Sequence, residues 1–259
     1  MNKTLKNQFT RKIYLHKKFD SFPVEVGASN RSNFLYPIHD NIGLNISNEN
    51  IYYGELTGLY WIWKNENINK EELVGFCHFN KCLDVKFSKA YNLLINRKKY
   101  DFLVADKTYI TPHPRKDELD AIVKILKKNY PEYYITWLKI YRKDGSSYAC
   151  NNAQLFITTG KWFNKYCLFL FDVLKQMRQI IGNRTGSPYD IRYCAFMGER
   201  LLTVFIITNN LKYKEYHIRY ANKTINIGRK IARILHINKN SSFYIKLQKK
   251  YGAKSSYKR

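Results

Sequence analysis

The sequence predicts an α/β fold, a Rossmann-like mixed sheet flanked by helices, with a basic helical extension at the C-terminus. Three observations predict it. Short apolar runs of strand length, such as Leu73–Phe79 and Tyr100–Asp106, are separated by segments of helical period. A strand-like stretch stands near the N-terminus, as is typical of nucleotide-handling α/β folds. The chain is also long enough, at 259 residues, to bury one large core.

Taken in order, residues 12–16 ("KIYLH") and 23–27 ("PVEVG") read as short strands, the second closed by a glycine. Residues 28–50 are rich in Asn, Ser, Gly and Pro without periodicity, which predicts a long loop of the kind that carries function. In "ELTGLYWIWKN" (55–65), Leu56, Leu59, Tyr60 and Trp63 fall at i, i+3, i+4 and i+7 and mark the buried face of a helix. "LVGFCHF" (73–79) is a nearly continuous apolar run, expected of a central parallel strand covered on both faces. "YDFLVAD" (100–106) reads as another strand. Residues 116–143 have helical period broken by Pro131, giving two helices or one kinked helix. "AQLFITT" (153–159) is a further strand, and residues 161–181 a long helix ended near Gly182. "GERLL" (198–202) reads as a turn leading into a helix. After Asn210 the pattern becomes basic and amphipathic, with Ile227, Ile231, Ile234 and Leu235 on one side of a helix. The division expected is therefore a domain over 1–210 and an extension over 211–259.

Composition narrows the function. The net charge of +25 calls for an anionic partner, and residues 211–259 hold fourteen Lys or Arg against one acid, Glu215. Nucleic acid, nucleotide phosphates and anionic lipid all qualify, and part of the charge reads equally as solvated surface. A nucleic-acid reading is disfavoured because most aromatics sit inside apolar runs, where core packing explains them. Five cysteines without Cys-x-x-Cys spacing indicate neither a disulfide framework nor a zinc cage. The first nineteen residues lack the apolar segment of a secretory signal, and no run suits a bilayer span, so a cytoplasmic protein is expected. Neither a Gly-x-x-x-x-Gly-Lys loop nor a Gly-x-Ser-x-Gly elbow is present.

In open α/β sheets the ligand crevice lies beyond the carboxyl ends of strands. The first such exit carries His78, Asn80 and Lys81 where a metal-binding enzyme would offer paired aspartates. A fixed cation can stabilise a departing diphosphate, which makes Lys81 a candidate; the alternative is a solvated edge lysine. His78 reads as a ligand contact or as a hydrogen-bonded core histidine. The second exit offers Asp106 and Lys107, then His113 between two prolines; Asp106 alone is a weak metal signal. Glu199 is a candidate general base toward an acceptor hydroxyl, or the partner of Arg200 in a structural pair.

Several segments together, "NISNENIYYGELTGLYWIWKN", "LVGFCHF", "YDFLVADKTYI", "LDAIVKILKKNYPEYY", "NAQLFI" and "GERLLTVFI", resemble a family of bacterial glycosyltransferase-like proteins from capsule, exopolysaccharide and O-antigen clusters, long described as a domain of unknown function. The resemblance covers about residues 11–210. It implies a GT-A-like domain that moves a sugar from a nucleotide-sugar donor to a growing glycan; the basic tail adds the expectation of a site at the inner face of the plasma membrane, where a lipid-linked glycan acceptor is met. The resemblance places His16 and Lys17 near the nucleotide, Asp40, Asn45 and Ser47 in a loop lining the donor site, and Glu55 and Thr57 beside them. Glu199 and Arg200 match its Glu-Arg-Leu motif. The family reads His-Tyr-Arg-Arg-Tyr where this chain has His78-Phe79-Asn80-Lys81-Cys82, and Gln154 occupies an asparagine position. The lost arginine pair keeps an inactive scaffold among the alternatives. A divalent cofactor, Mn²⁺ or Mg²⁺, is disfavoured, and residues 211–259 are expected to dock on anionic membrane.

Overall fold

A computed structural model describes residues 13–14, 22–108, 110, 113–146, 150–151 and 153–221. In chain order its strands are β1 (Ile13–Tyr14), β2 (Leu73–Phe76), β3 (Lys81–Leu83), β4 (Phe102–Ala105), β5 (Lys107–Thr108), β6 (Cys150–Asn151), β7 (Phe156–Thr159), β8 (Tyr213–Tyr216) and β9 (Ile218–Tyr220). Five of them form the main sheet in the order β1-β2-β7-β4-β8, while β3 pairs with β9 and β5 with β6. The helices are α1 (Asn50–Tyr53), α2 (Leu56–Asn65), α3 (Phe87–Tyr91), α4 (Lys116–Asn129), α5 (Pro131–Ile140), α6 (Gly160–Ile181), α7 (Pro188–Ile191) and α8 (Tyr193–Thr208).

The sheet is mixed, because β7 runs antiparallel to both of its neighbours while β1–β2 and β4–β8 are parallel pairs. A mixed sheet is what the sequence predicts, but the strand over residues 73–79, read as parallel, is parallel to β1 alone and antiparallel to β7. All four residues of β2 are buried, and such a run reports cover on both faces, not the direction of the neighbours. Strand pleating sorts the core into two layers. Val74, Phe76, Phe102, Val104 and Phe156 face the large helical layer, whereas Leu73, Leu103, Ala105 and Ile157 face the smaller one built on Ala90 and Leu94 of the chain after β3.

The stripe of α2 packs on the core, its leucines inside and Tyr60 and Trp63 half-buried against it. Leu56 and Leu59 are fully buried, and Trp63 stacks on Phe171 of α6 with ring centroids 5.7 Å apart. Pro131 opens α5 as its first residue, so residues 116–140 are two helices, not one kinked helix.

Two sequence expectations fail. Residues 23–27 make one isolated bridge, Glu25 to His39, and no strand. There the Glu25 carboxylate turns inward to accept the Leu35 and Tyr36 amides and the Arg31 guanidinium, tying down the loop. Gly198 does not begin a helix either: Gly198, Glu199 and Arg200 lie in the second turn of α8. A Cβ on Gly198 would come 2.8 Å from both Gln154 Nε2 and Leu56 Cδ1, so the glycine serves close packing instead of a turn. Strand pairing also continues beyond Asn210: β8 joins the main sheet beside β4, and β9 pairs with β3 in a separate two-stranded ladder. His16, Lys17 and residues 222–259, including the amphipathic stretch around Ile227, lie outside the described residues. Among the described residues, no helix is long and apolar enough to cross a membrane.

Candidate active site

Phe156, the first residue of β7, is in register with Phe76 on one side and Val104 on the other. The chain entering β7 therefore meets the chain leaving β2 at one rim of the sheet. His78 follows β2, and Ala153 and Gln154 precede β7. Over this rim sit Glu55, the residue before α2, and the face of α8 that carries Glu199.

Ala153 and Gln154 both adopt left-handed backbone, φ 65° and 54°, which costs non-glycine residues about 1–3 kcal/mol each. The turn aims the Ala153 carbonyl at His78 Nε2, 2.5 Å away, and the Ala153 amide at Glu199. A carbonyl only accepts, so Nε2 carries the proton and Nδ1 the lone pair. Tyr166 donates to Gln154 Oε1 at 2.7 Å, while the buried Gln154 Nε2 has no hydrogen-bond partner among the described residues. Such an unpaired buried donor costs about 1–3 kcal/mol.

Five ionisable groups meet here: Glu55, His78, Lys81, Arg192 and Glu199. Glu55 Oε2 accepts from Arg192 Nη2 at 3.1 Å, and Glu55 Oε1 lies 3.4 Å from His78 Nε2. Burial alone would raise the Glu55 carboxyl, but His78, Arg192 and Lys81 hold it below its ordinary value. Burial and the Lys81 charge push His78 down to about 4, so the ring is neutral at pH 7 and Arg192 supplies the lasting countercharge. Glu199 behaves oppositely. Burial pushes its carboxyl up to about 7 although Lys81 draws it down, and the Glu55 charge adds to the rise. Two carboxyls at one rim thus differ in state, Glu55 ionised and Glu199 titrating near neutrality, the pattern that separates an anchor from an acid–base group.

Arg192 was not anticipated from the sequence. A signal existed: Arg192 stands immediately before α8 and seven residues, about two helical turns, before Glu199. Arg200, one step of about 100° further round the helix, is sent elsewhere. Its buried guanidinium donates to the carbonyls of Phe196, at 2.8 Å, and Ile110, at 3.4 Å.

Other predicted residues are spent in holding loops. Asp40 is fully buried, accepting from the Gly27 and Ala28 amides and from Ser47 Oγ. Asn45 closes a turn onto Ser47 N and Gly43 O. Thr57 donates to Gly54 O and accepts from Asn50. Lys81 begins β3, and Asn80 is exposed beside it. At the second exit Asp106 pairs with His217, and Lys107 donates to Tyr213 at 2.6 Å. His113 lines a small cavity beside α8, with Phe196 and Arg200. Among the described residues no three His, Cys, Asp or Glu side chains form a metal-binding group.

Gly54 makes the Arg192–Glu55 contact possible. Its φ is +55°, and a Cβ there would stand 2.2 Å from Arg192 Nη2. Gly54→Ala is expected to destabilise the fold by about 1–3 kcal/mol through backbone strain and the displaced guanidinium. Chemical denaturation measures this; an unchanged midpoint would count against the packing described.

A family model described as "Domain of unknown function (DUF4422)" matches residues 9–210. A search of curated proteins gave no match. Among solved structures, the chain is similar to the apo structure of the bifunctional glycosyltransferase WbbM, with TM-score 0.67 and 23% identity, over 82% of this chain and 46% of that one. The fold is therefore shared with a glycosyltransferase, as the GT-A-like expectation required, and this chain spans less than half the length of that protein.

Proposed function

The chain belongs to the DUF4422 family, and from that premise we propose that it is a glycosyltransferase, moving a sugar from a nucleotide-diphosphate donor to a growing bacterial surface glycan. The observation that carries this reading is the Glu199 carboxyl, poised near pH 7 at the sheet rim beside an ionised Glu55. The fold shared with a bifunctional glycosyltransferase supports it.

In this reading Glu199 takes the proton of an acceptor hydroxyl while that oxygen attacks the anomeric carbon. The bond from that carbon to the diphosphate breaks, and its electron pair leaves with the nucleotide. Lys81 and Arg192 supply positive charge for the departing diphosphate, the work a metal does in other transferases. Gln154 Nε2 is a spare donor for a sugar oxygen. Asp40, Asn45, Ser47 and Thr57 act by fixing the loop that borders the donor, and Arg200 by fixing α8 against Ile110. His16 and Lys17 are assigned to the nucleotide on the resemblance alone.

Hydrolysis of a panel of nucleotide sugars, with Mn²⁺ and with EDTA, tests the proposal. Turnover of one donor, unaffected by EDTA, is the expected result. Turnover dependent on Mn²⁺ would remove the cation role of Lys81 and Arg192, and no turnover of any donor would favour a scaffold.

We further propose that the basic tail brings the enzyme to the cytoplasmic face of the membrane, each Lys or Arg near anionic lipid contributing about 1 kcal/mol. Because residues 213–220 are strands, the informative truncation follows Ala221, not Asn210. Sedimentation with phosphatidylserine vesicles should fall sharply on truncation; equal binding would take the tail out of the account.

A further inference from the structure

Tyr189 presents a ring that is 59% exposed and lies parallel to Phe196, centroids 5.9 Å apart and planes within 15°. One exposed aromatic is ordinary on any surface. Three features set this one apart. Its backbone is fixed: Ser187 accepts from Asp190 N to cap α7, and the Asp190 carboxylate returns to Ser187 Oγ at 2.6 Å and meets Arg115 at 3.4 Å. Arg184 then ties the same turn to α4 through Asp190 O, Asp117 and Glu118. A cavity also opens beside the ring, lined by Tyr189, Phe196, His113, Arg115, Glu118 and Arg200. Finally, Phe196 lies four residues after Arg192 and three before Glu199, so ring pair and carboxyl occupy adjoining strips of α8.

Resting on the transferase reading above, we infer that Tyr189 and this cavity form the acceptor subsite and take a neutral pyranose unit of a glycan. A pyranose has an apolar C–H face that covers an aromatic ring and a rim of hydroxyls that need donors and acceptors together; the ring, Arg115, Asp190 and His113 offer that combination. The cations Arg115 and Arg184 are already matched by Asp117, Glu118 and Asp190, which suits a neutral ligand better than a phosphate. The lining comes from the chain after β4 and from α7–α8. Of the residues assigned to the donor, Arg192 alone shares the α7–α8 segment, where it faces Glu55; the others come from the chain after β1 and β2 and before β7, so a nucleobase on Tyr189 is the less fitting occupant.

Retention of the full chain on a printed array of bacterial surface oligosaccharides tests the site, with calorimetric binding of UDP and GDP measured beside it. Tyr189→Ala should lower retention about tenfold, Tyr189→Phe should keep it, and nucleotide affinity should not follow the glycan loss. Tyr189 is exposed, so its replacement threatens folding little, and a melting curve verifies this. The inference is overturned if no array glycan retains the protein, if Tyr189→Ala is retained as well as the parent, or if Tyr189→Ala loses nucleotide instead. Retention that depends on Tyr189, without hydrolysis of any nucleotide sugar, would sink the transferase reading and leave the glycan site standing.

Discussion

Replacing Glu199 by glutamine is expected to lower kcat for transfer by about 10²–10⁴-fold while donor binding changes little. Glutamine keeps the shape and a hydrogen-bonding oxygen but has no basic lone pair for the acceptor proton. In the parent enzyme kcat/KM should fall as pH drops through about 7, where the buried carboxyl takes its proton. Stability moves the other way. The folded carboxyl, raised from 4.5 to about 7, holds its proton more tightly than the unfolded one. Its stabilising contribution is therefore complete below 4.5 and is lost as pH rises toward 7. Glu199→Gln has no such loss, so relative to the parent it should gain up to about 3 kcal/mol between those pH values and hold that gain above them. Denaturation at pH 4.5 and pH 8, paired with transfer assays, measures both halves. Near-normal transfer would remove Glu199 as the base; equal stability differences at both pH values would remove the perturbed carboxyl.

Arg192→Met should be the second large effect, because it strips the lasting countercharge from Glu55. The contact is a 3.1 Å hydrogen bond between side chains that are about one quarter exposed, so a loss of about 2 kcal/mol is expected after allowing for solvent screening. Transfer should fall by about 10²–10³-fold if the guanidinium also stabilises the departing diphosphate. A double-mutant cycle separates pairing from packing. Glu55→Gln combined with Arg192→Met should cost less than the sum of the single changes, by about 1 kcal/mol or more. Strict additivity would show that the two side chains are neighbours without being partners.

Legibility differed among elements for physical reasons. The stripe of α2 and the long period of α6 could be read directly, since burying one helix face imposes spacing on consecutive residues. The strand exit at His78 was equally visible as the end of an apolar run. Residues 23–27 misled because alternation appeared there without a neighbouring strand to pair with. The carboxylate within it answers loop amides that no local pattern reveals. Gly198 misled as well: a glycine inside a helix reads as a boundary until Leu56 and Gln154 are seen pressing on it.

The sequence by itself determined an α/β chain, most of its helices, the family, and Glu55, His78, Lys81 and Glu199 as residues worth watching, because periodicity and motif are properties of neighbours along the chain. Only the tertiary structure decided that β7 runs against its neighbours, that Asp40 is spent inside a loop, and that Arg192 closes on Glu55 from 137 residues away. It also decided which carboxyl stays charged. Burial and countercharge depend on what stands within a few ångströms in space, and a one-dimensional pattern carries that information only where contact and sequence separation coincide.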